Sequence, residues 1–525
     1  MSDGSGRSGG SAVVVAGGIL VSRLTGLVRQ RVFSHYFGLG ADADAFSASF
    51  RIPNLLQNLF GEGALSASFI PVYASLIARG EKEEADRVAG AVLSLLALVV
   101  SIIVLIGVGA TPILVDAIAP GFSGSKRALT VQLVRILFPG AGLLTLSAWC
   151  LGVLNSHRRF LLPYTAPVVW NGAMIATLAL FGAGTELPRL AVILAWGSVA
   201  GSLLQFGVQL PVVWRVAPDL RLAIDRASRP VRTVAVNFVP VLFSRGVVQV
   251  SAYVDTLLAS LLPTGALAGL TNAQQLYTLP VGLFGMSVSA TELPLMSGDA
   301  SGEVDGREAV RRRLDAGLRQ IAFFVVPSAM AFLALGDVIA AALLQTGRFS
   351  HADAVYVWGI LAGSSVGLLA STLGRLYASA YYALGDTRTP LAFAALRVAL
   401  TTALGYLLAI PTPRWLGISQ VWGAAGLTAS AGVAGWVEML FLRRTINRRI
   451  GPTGLAAGYV GSLWLAAGAA AGVAWGVKLA VPILNPIWAA VAVLGAYGPV
   501  FWGLAVMLRV PEASSAFAWL IRRRT

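Results

Sequence analysis

The sequence predicts an all-α polytopic membrane protein of about 14 transmembrane helices, built as two pseudo-repeated six-helix lobes plus two C-terminal helices. Of the 525 residues, 56% are hydrophobic and 12% are charged, whereas soluble domains carry about 25% charged residues. Apolar runs of roughly 20 residues, enough to cross the hydrocarbon core, recur throughout, as in 88–110, 190–213 and 487–507. These runs are long and continuous, which favours helices over the short alternating strands of a membrane barrel.

The predicted spans follow one another with short connections. Their approximate centres are Val21, Asn58, Val100, Pro139, Gly172, Ser198, Arg245, Phe284, Val326, Gly367, Thr401, Ala431, Ala467 and Leu494. The second and eighth spans are the least regular, because proline, glycine and polar residues interrupt both. The longest polar connections, 215–232 and 297–313, hold about 15 to 20 residues, too few for a separate domain.

Arginine-rich loops alternate with loops that carry little charge. The rich loops all follow even-numbered spans, at 79–87, 158–159, 215–232, 307–313 and 443–449. Because positive loops stay in the cytoplasm, both termini are predicted to be cytoplasmic. The net charge of +15 is therefore a topology signal, and nucleic acid is not an expected partner, since the arginines are dispersed over short loops. The Gly/Ser-rich residues 1–10 are predicted to be a disordered cytoplasmic tail.

Two proline motifs indicate an internal duplication. The separation between Pro53 and Pro280 along the chain equals the separation between Pro163 and Pro390. We therefore predict a first lobe at 11–218 (spans 1–6), a second at 219–447 (spans 7–12), and an appendage at 448–525 with spans 13 and 14 and a cytoplasmic tail. Transporters with such repeats bind substrate between the lobes and alternate access to it.

Ionisable residues at membrane depth are costly and usually functional. The predicted first lobe contains Arg23, Arg29, Asp44, Arg51, Glu62 and Arg135, and the second contains Arg245, Asp255, Glu292, Arg375 and Arg397. Glu438 and Lys478 are expected to stand nearly alone.

The second span combines polar residues with helix breakers. Arg51, Asn54 and Asn58 are spaced i, i+3 and i+7, which places them on one helical face, while Pro53, Gly61 and Gly63 should loosen the helix. With Arg23 and Arg29, they predict a cationic, hydrogen-bonding cavity for a phosphate-bearing substrate, because the arginine fork suits that group. Alternatively, these arginines pair with acidic residues or helix ends and hold the structure together.

Other second-lobe groups have two interpretations each. Asp255 and Glu292 bind either a coupling cation or proton, or make structural hydrogen bonds. Arg375 faces the cavity or anchors the chain at an interface.

Catalytic and metal chemistry is not expected. His35, His157 and His351 lie in unrelated loops or span ends, no phosphate-binding loop is present, and the single Cys150 excludes an intramolecular disulfide. A membrane-embedded glycosyl or prenyl transferase should show clustered aspartates for Mg²⁺, whereas the acidic residues here are scattered. A non-transporting scaffold would leave the buried charges without a use. The sequence therefore favours a transporter over an enzyme, with no cofactor.

Several motifs carry a resemblance to a known family. They include Ser22-Arg23…Gly26…Arg29, Asp44-Ala45-Phe46, Phe50-Arg51-Ile52-Pro53-Asn54-Leu55-Leu56, Glu62-Gly63-Ala64, Ala119-Pro120-Gly121-Phe122, Leu154-Asn155 with Pro163, and Tyr381 through Pro390. In these segments the chain resembles the MurJ (MviN) lipid II flippases of the multidrug/oligosaccharidyl-lipid/polysaccharide exporter superfamily. The match covers roughly spans 1–12, while spans 13–14 match by hydropathy alone.

The resemblance implies a multi-pass protein of the bacterial cytoplasmic membrane that moves undecaprenyl-diphosphate-linked peptidoglycan precursor (lipid II) between leaflets by alternating access. Na⁺ or H⁺ gradients or the membrane potential, rather than ATP, would drive it, and membrane lipid and other cell-wall synthesis proteins are candidate partners. The resemblance implies that Arg23 and Arg29 act in the cavity and that Asp44 and Glu62 are functionally important acidic positions. Together with the residues discussed above, the predicted gating or coupling residues are Asp44, Glu62, Gly63, Asp255, Glu292 and Arg375. The predicted substrate-binding residues are Arg23, Arg29, Arg51, Asn54, Gln57, Asn58 and Gln275.

The sequence departs from the family pattern where Gln57-Asn58 and Gln275 replace usual arginines. Glutamine donates hydrogen bonds but brings no charge, so the predicted cavity is less cationic. Two alternatives therefore stay open: a flippase for another polyprenyl-diphosphate-linked oligosaccharide, and a small-molecule or cation antiporter of the same superfamily, against which the Arg23/Arg29 pair argues.

Overall fold

The computed structural model describes residues 5–223, 228–300, 306–480 and 485–514, with the side chains of 5–14, 16, 62, 243–248 and 250–252 left out. Within these ranges the chain is helical, with one isolated β-bridge and no strand. The chain divides into two compact units, Met1–Leu267 and Ala268–Thr525. The predicted all-α class is thus confirmed.

The first unit is built on eleven helices, counted over the described residues, and the start of a twelfth. They are α1 (Ser5–Phe37), α2 (Ala41–Phe60), α3 (Glu62–Ser68), α4 (Ile70–Ala78), α5 (Lys82–Gly109), α6 (Thr111–Ile118), α7 (Gly124–Ser156), α8 (Leu161–Phe181), α9 (Leu187–Gly207), α10 (Leu210–Val216), α11 (Arg229–Ser260) and the first residues of α12 (Ala266–Pro280). Helix α7 lies at the centre and packs on α2, α5 and α9. Its Trp149 is fully buried together with Phe69 and Tyr73.

The second unit continues α12 into a π-helical turn, Val281–Met286. Its other helices are α13 (Ser287–Ala300), α14 (Gly306–Leu344), α15 (His351–Ala383), α16 (Arg388–Ala409), α17 (Pro411–Trp415), a 3₁₀ turn (Gln420–Trp422), α18 (Gly423–Ile450), α19 (Ala457–Ala480) and α20 (Pro486–Met507).

Twelve helical stretches in the described ranges are long and apolar enough to cross a membrane. They correspond to all predicted spans except the first and seventh. The helices at those two places, α1 and α11, include side chains outside the described set. The polytopic architecture is confirmed, and the count of 14 stays a prediction.

The second span is broken, as its composition predicts. Helix α2 ends at Phe60, and α3 begins beyond Gly61. A Cβ at Gly61 would lie 2.2 Å from the carbonyl oxygen of Gln57, so only glycine fits this turn. The chain turns again at Phe69 before α4.

Close packing of α15 on α18 depends on a row of glycines that leaves part of one face of α15 without side chains. Gly359, Gly363 and Gly367 recur every four residues and therefore share one face of α15. A Cβ at Gly367 would lie 2.3 Å from the Cα of Gly432 on α18. Small residues let membrane helices approach closely without any hydrophobic driving force.

The helix bounds reveal the internal repeat. Helices α7 and α15 both hold 33 residues. The distance along the chain from the first residue of α7 to the first residue of α15 equals the distance between the members of each proline pair. The same distance separates their last residues. The turns that follow contain Arg158 and Gly385, which both have positive φ, 58° and 75°, and which again have that separation. The duplication predicted from the proline pairs thus extends to matching helices and a matching turn.

Four side-chain hydrogen bonds fasten the α19–α20 pair to α14. Tyr459 donates to the Arg319 carbonyl oxygen, Trp475 to that of Ala334, and Tyr497 to that of Pro327, at 2.8–3.1 Å. Lys478 forms an ion pair with Asp337. The acceptors lie between Arg319 and Asp337 in the middle of α14, and α19 contacts them near both of its ends.

Candidate functional site

Arg23 and Arg29 lie on α1, which packs on α8. The Arg29 guanidinium carbon is 4.8 Å from the centre of the Trp170 ring, and its Nη1 is 4.0 Å from the Met174 sulfur. Both arginines are half-buried. Among the described residues, neither forms an ion pair with a carboxylate. The aromatic face of Trp170 therefore supplies the electrostatic contact of Arg29.

Trp170 is itself fixed from two sides. Its indole N–H donates to the backbone oxygen of Ser198 on α9 at 3.2 Å. Its ring meets the Phe50 ring edge-on at a centroid distance of 5.9 Å. Trp170 thus links Arg29 to the segment of α2 that carries Arg51. Sequence reasoning missed Trp170, because its partners are distant along the chain and no local pattern marks it.

Arg51 and Asn58 both contact α11. Arg51 Nη1 donates to the Thr256 hydroxyl at 3.1 Å, and Asn58 donates to Gln249 at 2.9 Å. The Tyr253 hydroxyl donates to the backbone oxygen of Arg51 at 3.0 Å. Two members of the face predicted from the i, i+3, i+7 spacing, Arg51 and Asn58, therefore meet a polar stretch of α11.

The remaining predicted residues of this region are placed as follows. Asn54 is exposed on α2 and Gln57 is half-buried, with its carbonyl accepting from the Gly61 N–H at 2.8 Å. Asp255 is half-buried on α11, next to Thr256. Gly63 is half-buried in α3, whereas the side chains of Glu62 and Arg245 lie outside the described set.

Asp44 occupies a different environment in the first turn of α2. Its side chain is 2% exposed, and its Oδ2 lies 2.7 Å from the Lys126 ammonium. The same oxygen accepts a hydrogen bond from the Gly265 N–H at 2.8 Å. Asp44 therefore joins the starts of α2 and α7 to the turn before α12, all within the first unit.

The second unit holds three predicted residues on separate helices. Gln275 is half-buried on α12, Arg375 is exposed on α15, and Glu292 lies on α13. Glu292 Oε2 is 3.9 Å from Arg313 Nη1, an ion pair too long for a hydrogen bond. Arg313 also pairs with Asp299.

The expectation that Glu438 and Lys478 stand nearly alone is wrong. Glu438 on α18 pairs with Arg397 on α16, with Oε2 and Nη1 3.2 Å apart. Lys478 pairs with Asp337. In both cases the partner belongs to a helix distant in sequence, so helical spacing within one span cannot reveal it.

Two loop groups beyond the spans have altered acidities. Hydrogen bonds from Thr389, together with Arg449, hold the pKa of the Asp386 carboxyl well below its usual range. Burial, aided by Lys82 and Arg159, lowers the pKa of His157, whose ring nitrogen lies 2.9 Å from the Tyr73 hydroxyl. His157 thus has a structural partner. No group of three His, Cys, Asp or Glu side chains suited to a metal occurs in the described ranges.

The helical fold and the twelve long apolar stretches in the described ranges define a polytopic membrane protein. The fold is shared with solved transporters. A structure described as lipid II flippase MurJ in an inward closed conformation matches with a TM-score of 0.78 and 22% identity, covering 95% of this chain and 99% of that one. An inward-facing multidrug resistance transporter of the MATE family matches with a TM-score of 0.67 and 18% identity, covering 83% and 98%.

Sequence comparisons give the family. The model of the lipid II flippase MurJ family matches residues 33–501. A lipid II flippase MurJ of Burkholderia cenocepacia is 32% identical over 443 residues, 83% of either chain. A probable lipid II flippase MurJ of Rhizobium meliloti is 31% identical over 82% of this chain and 79% of its own. The chain therefore belongs to the MurJ family of lipid II flippases.

Proposed function

We propose that this protein translocates lipid II across the bacterial cytoplasmic membrane by alternating access. The observation that carries the proposal is the environment of Arg29, which has an aromatic ring and a thioether as neighbours and, among the described residues, no carboxylate. A charged side chain at the centre of a membrane helix costs about 2.5–3.5 kcal/mol on insertion scales. Such an arginine is stabilised by water or by an anionic ligand, and the diphosphate of the proposed lipid II substrate would be that anion.

The diphosphate is proposed to bind the first-unit arginines. Arg23 and Arg29 supply charge from α1, and Arg51, which already donates to Thr256, supplies charge from α2. The uncharged donors proposed in the first unit are Asn54, Gln57 and Asn58, and Gln275 is a proposed donor in the second unit. The prenyl tail stays in membrane lipid while the sugar and peptide cross in a hydrated space.

Acidic residues, together with Gly63 and Arg375, are proposed to gate the transport cycle and to couple it to an ion gradient. Asp44 holds the first unit together through Lys126 and Gly265, and its release would loosen that end of α2. The other proposed gating or coupling residues are Glu62, Gly63, Asp255, Glu292 and Arg375. Coupling to Na⁺ or H⁺ fits these carboxylates, and no ATP is consumed.

The distribution of arginines supports the orientation. Loops after even-numbered spans carry most of the positive charge, and by the positive-inside rule both termini are proposed to be cytoplasmic. In this orientation other cell-wall synthesis proteins have access to short loops on either face. The protein acts as a transporter and makes no covalent change in its substrate.

The test is complementation of a conditional lipid II flippase mutant, combined with an assay of lipid II accessibility at the outer leaflet. Wild-type chain is expected to restore growth and accessibility. Arg29→Ala should lower accessibility at least about tenfold, because a hydrogen bond to a charged group contributes about 1.5–3 kcal/mol. Arg127→Ala is the matched control, since Arg127 is exposed and pairs with Asp116.

Failure of a well-expressed wild-type chain in both assays would remove the lipid II assignment. Accessibility of another polyprenyl-diphosphate-linked oligosaccharide would then be measured in the same way. Full activity of both Arg23→Ala and Arg29→Ala would remove the anion site. Exchange of Gln57 or Gln275 for arginine tests whether the reduced positive charge determines which lipid-linked substrate is transported.

A further inference from the structure

The second unit contains an ion pair away from the ends of two long helices. Arg397 Nη1 and Glu438 Oε2 are 3.2 Å apart. Arg397 is nine residues from the start of α16, and Glu438 is twelve residues before the end of α18. At about 1.5 Å per residue, these positions lie about 14 and 18 Å from the helix ends. Neither side chain therefore sits at the end of its helix.

The two partners are unequally covered. The Glu438 side chain is 15% exposed, whereas that of Arg397 is 39% exposed. The carboxylate is thus the enclosed member, and part of the guanidinium has no protein around it. Since hydrocarbon is a poor environment for a guanidinium, the open side of Arg397 faces water or a ligand.

A second arginine lies nearby without a carboxylate of its own. Arg375 on α15 is exposed, and among the described residues it forms no ion pair. The Tyr277 hydroxyl is 2.8 Å from that of Ser371, which lies one helical turn before Arg375 on the same face of α15, and Tyr277 is electrostatically coupled to Arg375 and Arg397. Two arginines against one carboxylate leave this cluster with a net positive charge.

The surroundings of Glu438 are defined by the helices that pack on α18. Arg397 faces it from α16. Arg375 and Tyr382 on α15 interact with it electrostatically, and Arg375 follows Gly374, where a Cβ would lie 3.8 Å from the Cβ of Met439, the residue after Glu438. No second carboxylate stands in this set, so Glu438 is the sole acidic counter-ion among these groups.

We propose that Arg375 and Arg397 form an oxyanion subsite in the second unit, and that Glu438 is its exchangeable counter-ion. When an oxyanion binds, it displaces Glu438 from Arg397, and the carboxylate takes up a proton. A diphosphate as the natural ligand rests on the proposed function, whereas the exchange itself rests on the ion pair and the exposed arginines.

Proton uptake by Glu438 follows from the free-energy cost of a buried, unpaired charge. A carboxylate that loses its cationic partner in an enclosed site is strongly destabilised, and protonation removes that charge. Binding linkage is reciprocal, so a lower pH must favour oxyanion binding. The pair would then connect occupancy of the second unit to the proton gradient.

The experiment uses the full chain in lipid nanodiscs with inorganic sulfate, which stays doubly charged throughout the pH range used. The background carries Arg23→Ala and Arg29→Ala, so that sulfate bound there reports on other arginines. Sulfate affinity is expected to rise about fivefold or more, the low end of ordinary site coupling, as the pH falls from about 8 to about 5. Sulfate addition to weakly buffered protein should cause proton uptake.

Two variants test the assignment. Glu438→Gln should bind sulfate more tightly at high pH, lose the pH dependence and lose proton uptake, while Arg397→Gln should lose sulfate binding. Asp337→Asn is the matched control, because Asp337 pairs with Lys478 elsewhere in the second unit, and it should retain both effects.

Absence of sulfate binding or of proton uptake in the background chain would overturn the proposal without any further substitution. An unchanged pH profile in Glu438→Gln would show that the pair merely holds α16 to α18. A chain that shows the Glu438-dependent exchange but fails the lipid II assays would keep this inference and lose the proposed function.

Discussion

Asp44 and Lys126, 82 residues apart in the chain, form a 2.7 Å ion pair in which both side chains are largely covered. The Gly265 N–H donates to the same carboxylate oxygen. Gly265 has φ +96°, and a Cβ there would lie 2.7 Å from the Leu39 carbonyl oxygen. The pair thus depends on a glycine turn that presents a backbone donor.

Asp44→Ala is expected to destabilise the protein by about 3 kcal/mol or more, because it leaves a buried ammonium without its partner. Thermal unfolding in detergent measures the loss. Asp44→Asn combined with Lys126→Met should lose less than Asp44→Ala. Asp116→Ala removes the exposed carboxylate of the neighbouring Arg127 pair and should have no measurable effect. Equal losses for Asp44→Ala and Asp116→Ala would contradict this prediction.

Gly432→Ala is expected to destabilise the α15–α18 contact by about 1–3 kcal/mol, the usual cost of overpacking. The added Cβ would lie 2.7 Å from the backbone nitrogen of Gly367, which cannot move without shifting α15. Gly435 is the matched control on the same helix, since a Cβ there meets nothing within 4 Å. Gly435→Ala should be neutral or stabilising, because alanine favours helix by about 0.5–1 kcal/mol. Similar melting temperatures for the two variants would argue against the close approach.

His157 is expected to make stability pH-dependent. Burial lowers its pKa in the folded state, so the unfolded chain binds the proton more readily. The stability that neutral His157 contributes is therefore complete above about pH 6.5, the ordinary histidine pKa, and declines as the pH falls through that value towards the lower folded pKa. Between about pH 8 and about pH 5.5, the melting temperature of the wild type should fall further than that of His157→Gln. Parallel profiles would assign the pH dependence to other groups.

Lys478→Ala is expected to loosen α19 from α14. It leaves Asp337, whose side chain is 10% exposed, enclosed without a cation, which costs several kcal/mol for a buried charge. Hydrogen–deuterium exchange should rise in α19 and α20. Asp337→Leu combined with Lys478→Met should restore protection, since it removes both charges. Faster exchange in the double variant than in the single one would refute the role of the pair.

Much of the fold could be predicted from local patterns. The apolar runs predict the spans because crossing a bilayer imposes a length. Of the three residues predicted to loosen span two, the break falls at Gly61, whereas Pro53 lies inside α2 and Gly63 inside α3. The proline offsets predict a repeat that reappears as two 33-residue helices and two positive-φ turns.

The candidate site was predicted less completely. Arg23, Arg29 and Arg51 stand out in sequence because charge is rare in apolar spans. Their neighbours Trp170, Met174 and Thr256 do not, because each is an ordinary residue of its own helix. The partners of Glu438 and Lys478 were missed for the same reason.

By itself the sequence determined that this protein lives in the bilayer, where its helices run, and which residues bear charge there, because membrane insertion selects on local composition and length. Tertiary structure alone decided which charges are paired. Asp44 with Lys126, Arg397 with Glu438 and Lys478 with Asp337 meet across 82, 41 and 141 residues. Such contacts depend on how whole helices pack, and helix packing is set by side chains that recur on no single local period.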